Sequence, residues 1–561
     1  MSGVLPNPNR PDELAFLALG GVGEIGMNLA LYGYAGRWLM IDCGITFADG
    51  SLPGVEVVMA DASFIAERAD TLVGLVATHA HEDHIGAIPY LWPRLKCPIY
   101  TTPFTAAVLR AKLAETGFAN EVPIIEVPMS GKFSIAPFEL ELLTLTHSIP
   151  EPNAVILRTP LGVVLHTGDW KFDPEPMIGP GADMAALERL GDAGVLAMIC
   201  DSTNAMRPGE AGSEGEVRRS LTDLVGQCEN RVVVACFASN VARVESAAFA
   251  AAAHDRHVAL VGRSLWRIER AARETGYLKN TPPFLSEEEA AYLPRDKVLL
   301  LCTGSQGEPR AALVRIAEDD HAHIVLESGD TVIFSSRVIP GNERAIGKLQ
   351  NALVTLGVEI ITDHDHFVHV SGHPAQDELQ RMYRAVRPTI AVPVHGEARH
   401  LRAQARLAEE CGVTQAIVTK NGEVVKLAPG PAAVIGEVPV GRLAADGKSL
   451  LDPAGETLRS RQRMTFNGVA LATLVLDGDG RLLSPPRVTL QGVESDDDLA
   501  DELSRKVAAA IEALPKRERR DDAAIGEAAR VALRRVVRAR NGKRPVTEIH
   551  VVRLDGTGRE A

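Results

Sequence analysis

Short apolar runs alternate with polar breaks along this chain, and several of the runs lead into histidine or aspartate. Leu72-Val73-Gly74-Leu75-Val76-Ala77 reads as a buried strand. It passes directly into Thr78-His79-Ala80-His81-Glu82-Asp83-His84. A second run, Leu142 to Ser148, carries His147 at its end, and a third, Val163 to Asp169, ends on Asp169. A fourth, Ile390 to Glu397, carries His395. Leu29 to Tyr34, a short polar break and Trp38 to Asp42 predict a hairpin of strands. In the middle of the chain, Val232 to Ala238 and Lys297 to Cys302 predict buried parallel strands. Asn240 to Ala253 and Trp266 to Glu274 predict helices. Toward the end, strands at Val469 to Leu476 and Arg487 to Val493 bracket the turn Asp477-Gly478-Asp479-Gly480. Helices at about 496–514 and 522–540 and a strand at Val546 to Val552 follow. No internal repeat is present.

A polar cluster on a loop that a rigid strand holds is where chemistry is placed. In His-x-His-x-Asp-His, alternation puts His79 and His81 on one side of the chain, so both can reach one metal. Asp83 and His84 follow where the chain turns and can serve a second. Imidazole and carboxylate suit hydrolytic cations, and no cysteine stands in this run to close a structural site. A lone His or Asp after a strand is ordinarily a turn residue. Together, however, His147, Asp169 and His395 complete a set with one histidine for each cation and a carboxylate to bridge them. His166 lies inside its strand and reads as a packed histidine.

His79, His81, Asp83, His84, His147, Asp169 and His395 resemble the ligand set of the metallo-β-lactamase fold. Asp42 matches that fold's buried aspartate, which braces the metal loop. The resemblance implies an α/β, four-layer αββα sandwich with the metals at one edge of its two sheets. More than two hundred residues separate Asp169 from His395, room for a further domain. That insertion resembles the β-CASP domain of nucleic-acid-processing members, whose motifs stand here as Cys200 to Ala205, Val370-Ser371-Gly372-His373 and Val394-His395-Gly396-Glu397. Finer motifs resemble the bacterial ribonuclease J family over roughly the first 450 residues. These are Leu19 to Asn28, Phe237-Ala238-Ser239-Asn240-Val241, Thr303 to Glu308 and His369 to His373. After Val241 that family usually carries an aromatic or His, where this chain has Ala242.

The resemblance implies residues 1–215 and 366–442 as the metallo-β-lactamase domain and 216–365 as the β-CASP domain. A linker over 443–465 and a small α/β C-terminal domain over 466–561, suited to oligomerisation, complete the chain. It implies two divalent ions per subunit, zinc in the site, with manganese or magnesium serving activity. It also implies hydrolysis of RNA from the 5′ end with endonuclease activity besides, a preference for 5′-monophosphate ends, and work in mRNA decay and rRNA processing. Asp83 would orient the water, and His373, held by Asp201, would be the general acid. Ser239, Asn240, His369, Val370, Ser371, Gly372 and His373 would bind the substrate, with Ser305 and Gln306 weaker candidates. The implied partners are single-stranded RNA, a second copy or three in a homodimer or homotetramer, and proteins of RNA decay.

Other readings are weaker. Gly21 to Gly26 fits Gly-x-Gly-x-x-Gly, but the dinucleotide fingerprint needs a helix to start there, and a strand hairpin follows instead. A small-molecule hydrolase of the same fold, a thioesterase or lactonase, has no use for the large insertion or the Asp201/His373 pair. A passive RNA scaffold has no use for a complete ligand set. With 561 residues, two to four domains are expected. Residues 1–10 do not read as a signal peptide, no apolar run is long enough to span a bilayer, and the seven dispersed cysteines read as buried thiols. A cytoplasmic enzyme with no membrane contact is the expectation. The net charge of −14 argues against a non-specific nucleic-acid coat protein, not against an enzyme that draws one strand into a cleft. Lys516-Arg517-Glu518-Arg519-Arg520 reads as a solvated helix end.

Overall fold

The computed structural model describes residues 12–48 and 50–554, so the expectation for residues 1–10 lies outside the described residues. The chain divides into two compact units. One holds the described residues up to Thr46 together with Met59–Gly441; the other holds Phe47–Val58 and the chain from Arg442.

The first unit is built on two facing sheets, one of eight strands and one of seven. Their strands are short and apolar because both faces are covered, which leaves little room for polar alternation. Phe16, Tyr32, Ile41 and Val76 from the first sheet meet Leu140, Val155, Val164, Ile199 and Val392 from the second in one core. Helices such as Pro103–Leu113, Gln376–Val386 and Ala398–Glu410 flank the sheets, giving the expected αββα layering. The hairpin Leu29–Tyr34 with Arg37–Ile41 is antiparallel, and no helix begins in the glycine run before it. Gly21 adopts φ +86°, a backbone open to glycine at no steric cost, and its carbonyl accepts the His395 N–H at 2.7 Å.

Between Asp201 and His395 the chain forms a third sheet of five parallel strands. Val232–Ala235 is its centre, with Val298–Cys302 on one side and Thr331–Phe334 on the other. All four residues of Val232–Ala235 are buried, the uniform pattern of a doubly covered parallel sheet. The helix Val241–Ala253 starts at Asn240, whose side-chain oxygen accepts the Arg243 N–H.

In the second unit, Val469–Leu476 alternates buried and half-buried positions, the mark of a sheet with one covered face. It pairs antiparallel with Arg487–Gln491 and parallel with Val546–Arg553. Helices Asp497–Glu512 and Asp522–Asn541 cover that face through Leu474, Leu503, Val507, Leu533 and Val537. The stretch 443–465, expected as a linker, carries regular structure: strands Arg442–Asp446 and Ser449–Leu451, then most of helix Glu456–Asn467. That helix buries only Leu458, so its sequence shows no apolar stripe. Arg519 donates to the Leu514 carbonyl and Arg520 pairs with Asp479, so part of the basic run is spent locally. Among the described residues no helix is long and apolar enough to cross a membrane.

Candidate metal centre

Strand Leu72–Val76 delivers the histidine loop to the edge of the sandwich, and Asp42 holds it there. Asp42 Oδ1 accepts the Thr78 N–H at 2.8 Å, and its Oδ2 lies 2.7 Å from His84 Nδ1. Asp42 is itself buried and sits at φ +62°, in the left-handed region. Gly44 lets this loop pack closely, since a Cβ there would lie 1.7 Å from the Asp83 carbonyl oxygen. His147 and Asp169 each lie three residues past their strands, Phe138–Thr144 and Gly162–His166, rather than at the strand ends. A bridge between Thr146 and Lys171 carries the two chains onward before they turn to the centre.

Two donor groups result, and a third, Asp169, Asp201, His373 and His395, overlaps the second of them. One brings together His79, His81 and His147, and the other Asp83, His84, Asp169 and His395; within each group the ligand atoms lie within 4.8 Å of one another. His81 Nδ1 is 3.1 Å from both His79 Nε2 and His147 Nε2. Asp169 Oδ2 is 3.1 Å from His84 Nε2 and 3.9 Å from His147 Nε2, which places it between the groups. His395 Nε2 is 3.1 Å from Asp83 Oδ2.

The opposite ring nitrogens are tethered. His79 Nδ1 lies 3.0 Å from Thr78 Oγ1, and His395 Nδ1 lies 2.8 Å from Thr203 Oγ1. His147 Nδ1 donates to the Gly372 carbonyl at 2.5 Å. Such tethers fix ring orientation and raise ligand basicity. The sequence assigns Thr203 no role, although it lies inside the Cys200 to Ala205 motif. A hydroxyl two residues past a site aspartate was the available signal.

The electrostatics suit cations. Burial holds His79 and His147 well below the usual imidazole range and His81 down to about 4, so these rings are neutral donors. Burial would raise Asp83 and Asp169, but the surrounding imidazoles outweigh it and keep both carboxyls below their usual range. Burial would lower His84 and His395, but the carboxylates beside each outweigh it and raise both. Two sets of converging nitrogen and carboxylate donors, fixed from behind, fit divalent metal.

His373 adjoins both groups. Its Nδ1 donates to Asp201 Oδ2 at 2.8 Å and lies 3.8 Å from Asp169 Oδ2. Burial pushes this ring down, yet Asp201 and Asp169 together raise its pKa above the usual value. Among the described residues its Nε2 has no hydrogen-bond partner, and the side chain is 22% exposed.

The other expected binding residues fall into two kinds. His369, Ser371 and Gly372 lie on the same loop as His373. Ser371 Oγ accepts from Asn204 Nδ2 at 2.8 Å and from the His373 N–H at 3.2 Å. The His369 ring is held neutral by burial and then by the charges of Arg243, Lys171, Arg337 and Arg207, and its Nδ1 is buried without a partner. Val370 is buried and presents only backbone. Ser239 is half-buried, while the Asn240 side chain is committed to its helix cap and to Glu214. Gln306 is spent on the Arg337 carbonyl and the Ile339 N–H, a structural role. Ala242 is buried among residues that include His147 and Glu214. His166 bonds the Tyr32 hydroxyl at 2.9 Å, as a packed histidine.

The comparisons with known proteins follow this geometry. Residues 26–225 match the metallo-β-lactamase superfamily, and residues 341–418 match the Zn-dependent metallo-hydrolase RNA specificity domain. Fold and site therefore define a metal-dependent hydrolase of that superfamily. Residues 229–353 match the ribonuclease J β-CASP domain, and residues 456–554 the ribonuclease J C-terminal domain. The chain is 46% identical to ribonuclease J of Sinorhizobium meliloti over 553 residues, 97% of this chain and 98% of the relative. It is 41% identical to ribonuclease J of Mycolicibacterium smegmatis over 529 residues, 94% of each. A solved protein of unknown function from Enterococcus faecalis shares the fold at TM-score 0.52 and 15% identity, covering 74% of this chain and all of that one. The chain belongs to the ribonuclease J family of metal-dependent nucleases.

Proposed function

We propose that this chain hydrolyses single-stranded RNA from the 5′ end, prefers 5′-monophosphate ends, and cuts internally as a second mode. The observation that carries the reading is the His373–Asp201 pair beside two convergent donor groups. Hydrolysis of a phosphodiester needs an activated water, relief of phosphate charge and a proton for the leaving oxygen. His79, His81 and His147 would hold one divalent ion, Asp83, His84 and His395 the other, with Asp169 between them. Zinc, with manganese or magnesium serving activity, fits this donor set. Bound cations supply charge neutralisation and lower the pKa of a water. Asp83 would orient that water. His373 donates the proton: Asp201 fixes Nδ1–H, and Nε2 is left for the leaving oxygen.

A terminal phosphate would sit against Ser239, His369, Ser371 and Gly372; the small side chains of the two serines and the glycine would leave backbone donors accessible. On this reading residues 1–215 and 366–442 form the catalytic domain, 216–365 the β-CASP domain and 466–561 an oligomerisation domain of a homodimer or homotetramer. The enzyme would act in cytoplasmic mRNA decay and rRNA processing, with other decay proteins as partners.

The test is one end-labelled RNA carrying a 5′-monophosphate, 5′-triphosphate or 5′-hydroxyl, with Mn²⁺ or Zn²⁺ and a His81→Ala control. Release of single nucleotides from the monophosphate form, lost in the control, is the expected result. Internal cuts indifferent to the 5′ group would leave only the endonuclease, and no cleavage of any RNA would favour a small-molecule hydrolase.

A further inference from the structure

Four cations surround His369, and they differ in what neutralises them. Arg243 is fully buried and pairs with Glu214 at 2.9 Å. Lys171 is buried and pairs with Asp173 at 2.8 Å. Among the described residues, the guanidinium groups of Arg207 and Arg337 have neither an ion-pair nor a hydrogen-bond partner. Arg207 is half-buried and Arg337 exposed. They stand close enough that Arg337, after burial, is a cause of Arg207 lying below the usual arginine range. Glu378 and Asp363 offset part of the charge on Arg207 from beyond ion-pair reach, so the two like charges stand together without a directly paired counterion, an arrangement that a bound anion would relieve.

Backbone straps hold both arginines around the His369–His373 loop. The Arg207 carbonyl accepts the Gln376 N–H at 3.0 Å, and the Arg207 N–H donates to the Asn204 carbonyl at 2.8 Å. Asn204 in turn donates to Ser371 Oγ and, at 3.0 Å, to the His373 carbonyl. On the other side the Arg337 carbonyl accepts from Gln306 Nε2 at 2.8 Å. Two residues earlier, Ser335 Oγ donates to the Val368 carbonyl at 2.7 Å, immediately before His369.

We infer that Arg207 and Arg337 form a two-armed clamp for the 5′-terminal phosphate of the RNA and set the preference for that end. This rests on the terminal-phosphate reading above and adds its charge component. His369 is neutral, and Ser371, Ser239 and Gly372 are uncharged, so those groups alone offer hydrogen bonds without countercharge. A terminal phosphomonoester carries nearly two negative charges, whereas an internal diester carries one. Two guanidiniums match the former, and each can form paired N–H bonds to phosphate oxygens. The clamp therefore distinguishes an end from the backbone by charge as well as by shape.

The experiment uses the full-length, metal-loaded enzyme and compares kcat/KM on 5′-monophosphate and 5′-hydroxyl forms of one RNA. Arg207→Gln and Arg337→Gln should each lower the phosphate-to-hydroxyl ratio about ten- to a hundredfold, mainly through KM. The lysine variants should recover only part of it, because a point charge cannot make paired bonds. Equal losses on both RNAs would make the arginines general backbone contacts and overturn the clamp, as would an unchanged ratio. If the unaltered enzyme shows no preference, the terminal-phosphate reading itself fails and the clamp with it. A preference that survives both substitutions sinks the clamp alone. Arg337 is exposed, so its variant decides the matter should Arg207→Gln fail to fold.

Discussion

Asp201→Asn changes one atom and tests the proton donor directly. Asp201 Oδ1 accepts from the Thr203 N–H at 2.9 Å and from Thr203 Oγ1 at 2.7 Å, while Oδ2 accepts from His373 Nδ1 at 2.8 Å. The Thr203 N–H cannot face an amide N–H, so the asparagine oxygen takes the Oδ1 place and its amino group faces His373. His373 Nδ1 must then accept, which moves the ring proton to Nε2 and removes the carboxylate that raises the ring's pKa. The neutral ring is a poorer acid toward the leaving oxygen. General acid catalysis contributes about 10²–10⁴ in rate, or roughly 3–5 kcal/mol of barrier. A loss of that size in kcat on 5′-monophosphate RNA is expected, with bound metal unchanged by elemental analysis. A p-nitrophenyl phosphodiester, whose leaving group needs no proton, should lose only a few-fold. Equal losses on both substrates would refute the acid role and make Asp201 a brace for His395, which lies 3.4 Å away. Wild-type kcat on RNA would refute any role.

Other outcomes follow from the same contacts. Asp42→Ala removes the acceptor of the Thr78 N–H and of His84, so metal affinity should fall about 10–100-fold in a metal titration, with unaltered affinity counting against the brace. Arg243→Met leaves Glu214 buried without its partner and should cost about 3–5 kcal/mol in urea unfolding; a cost below about 1 kcal/mol would mean the pair is dispensable. His166 is held at about 4 by burial against 6.5 in the unfolded chain, so the unfolded state gains protons first as pH falls. It withdraws up to about 3 kcal/mol of stability between about pH 6.5 and 4, and His166→Gln should flatten that part of the stability profile without changing metal content. Exhaustive chelation should abolish RNA cleavage, and restored divalent metal should return it.

The elements that announced themselves in the sequence were those whose burial is uniform or periodic. Val232–Ala235 is buried at every position and Val469–Leu476 alternates, and both were legible. Helix Glu456–Asn467 was not, because with one buried residue it lacks the stripe that separates helix from polar loop. In the site, the histidines could be read because their spacing is itself chemical. The tethers behind them could not. Thr78, Thr203 and Asn204 act through contacts to residues such as His395 and Ser371, more than one hundred and sixty positions away for the last two, and beyond Thr203's place two residues past a site aspartate nothing in the sequence marks them. Arg207 and Arg337 were silent for the same reason: each is one charged loop residue until the fold sets them beside His369.

Sheet pairing explains how one site draws on segments so far apart. Strands Ala197–Asp201 and Ile390–Val394 are parallel neighbours, with Asp201 opposite Val394. The chain leaves the catalytic sheet at one strand end and returns to it along the adjacent strand. Both therefore point their carboxyl ends at the same edge, so Asp201 and His395 meet there whatever length of chain lies between. Loop closure grows costlier only slowly with length, and the inserted sheet has its own core, so the detour places little strain on the site. The returning chain must also cross that edge before it re-enters the sheet, and this crossing is the loop His369–His373. Its Gly372 carbonyl receives His147 and its His373 reaches Asp201. On the proposed reading, the chain returning from the insertion thus adds a proton donor and a phosphate-facing loop to the donor groups that the sandwich sets at its edge.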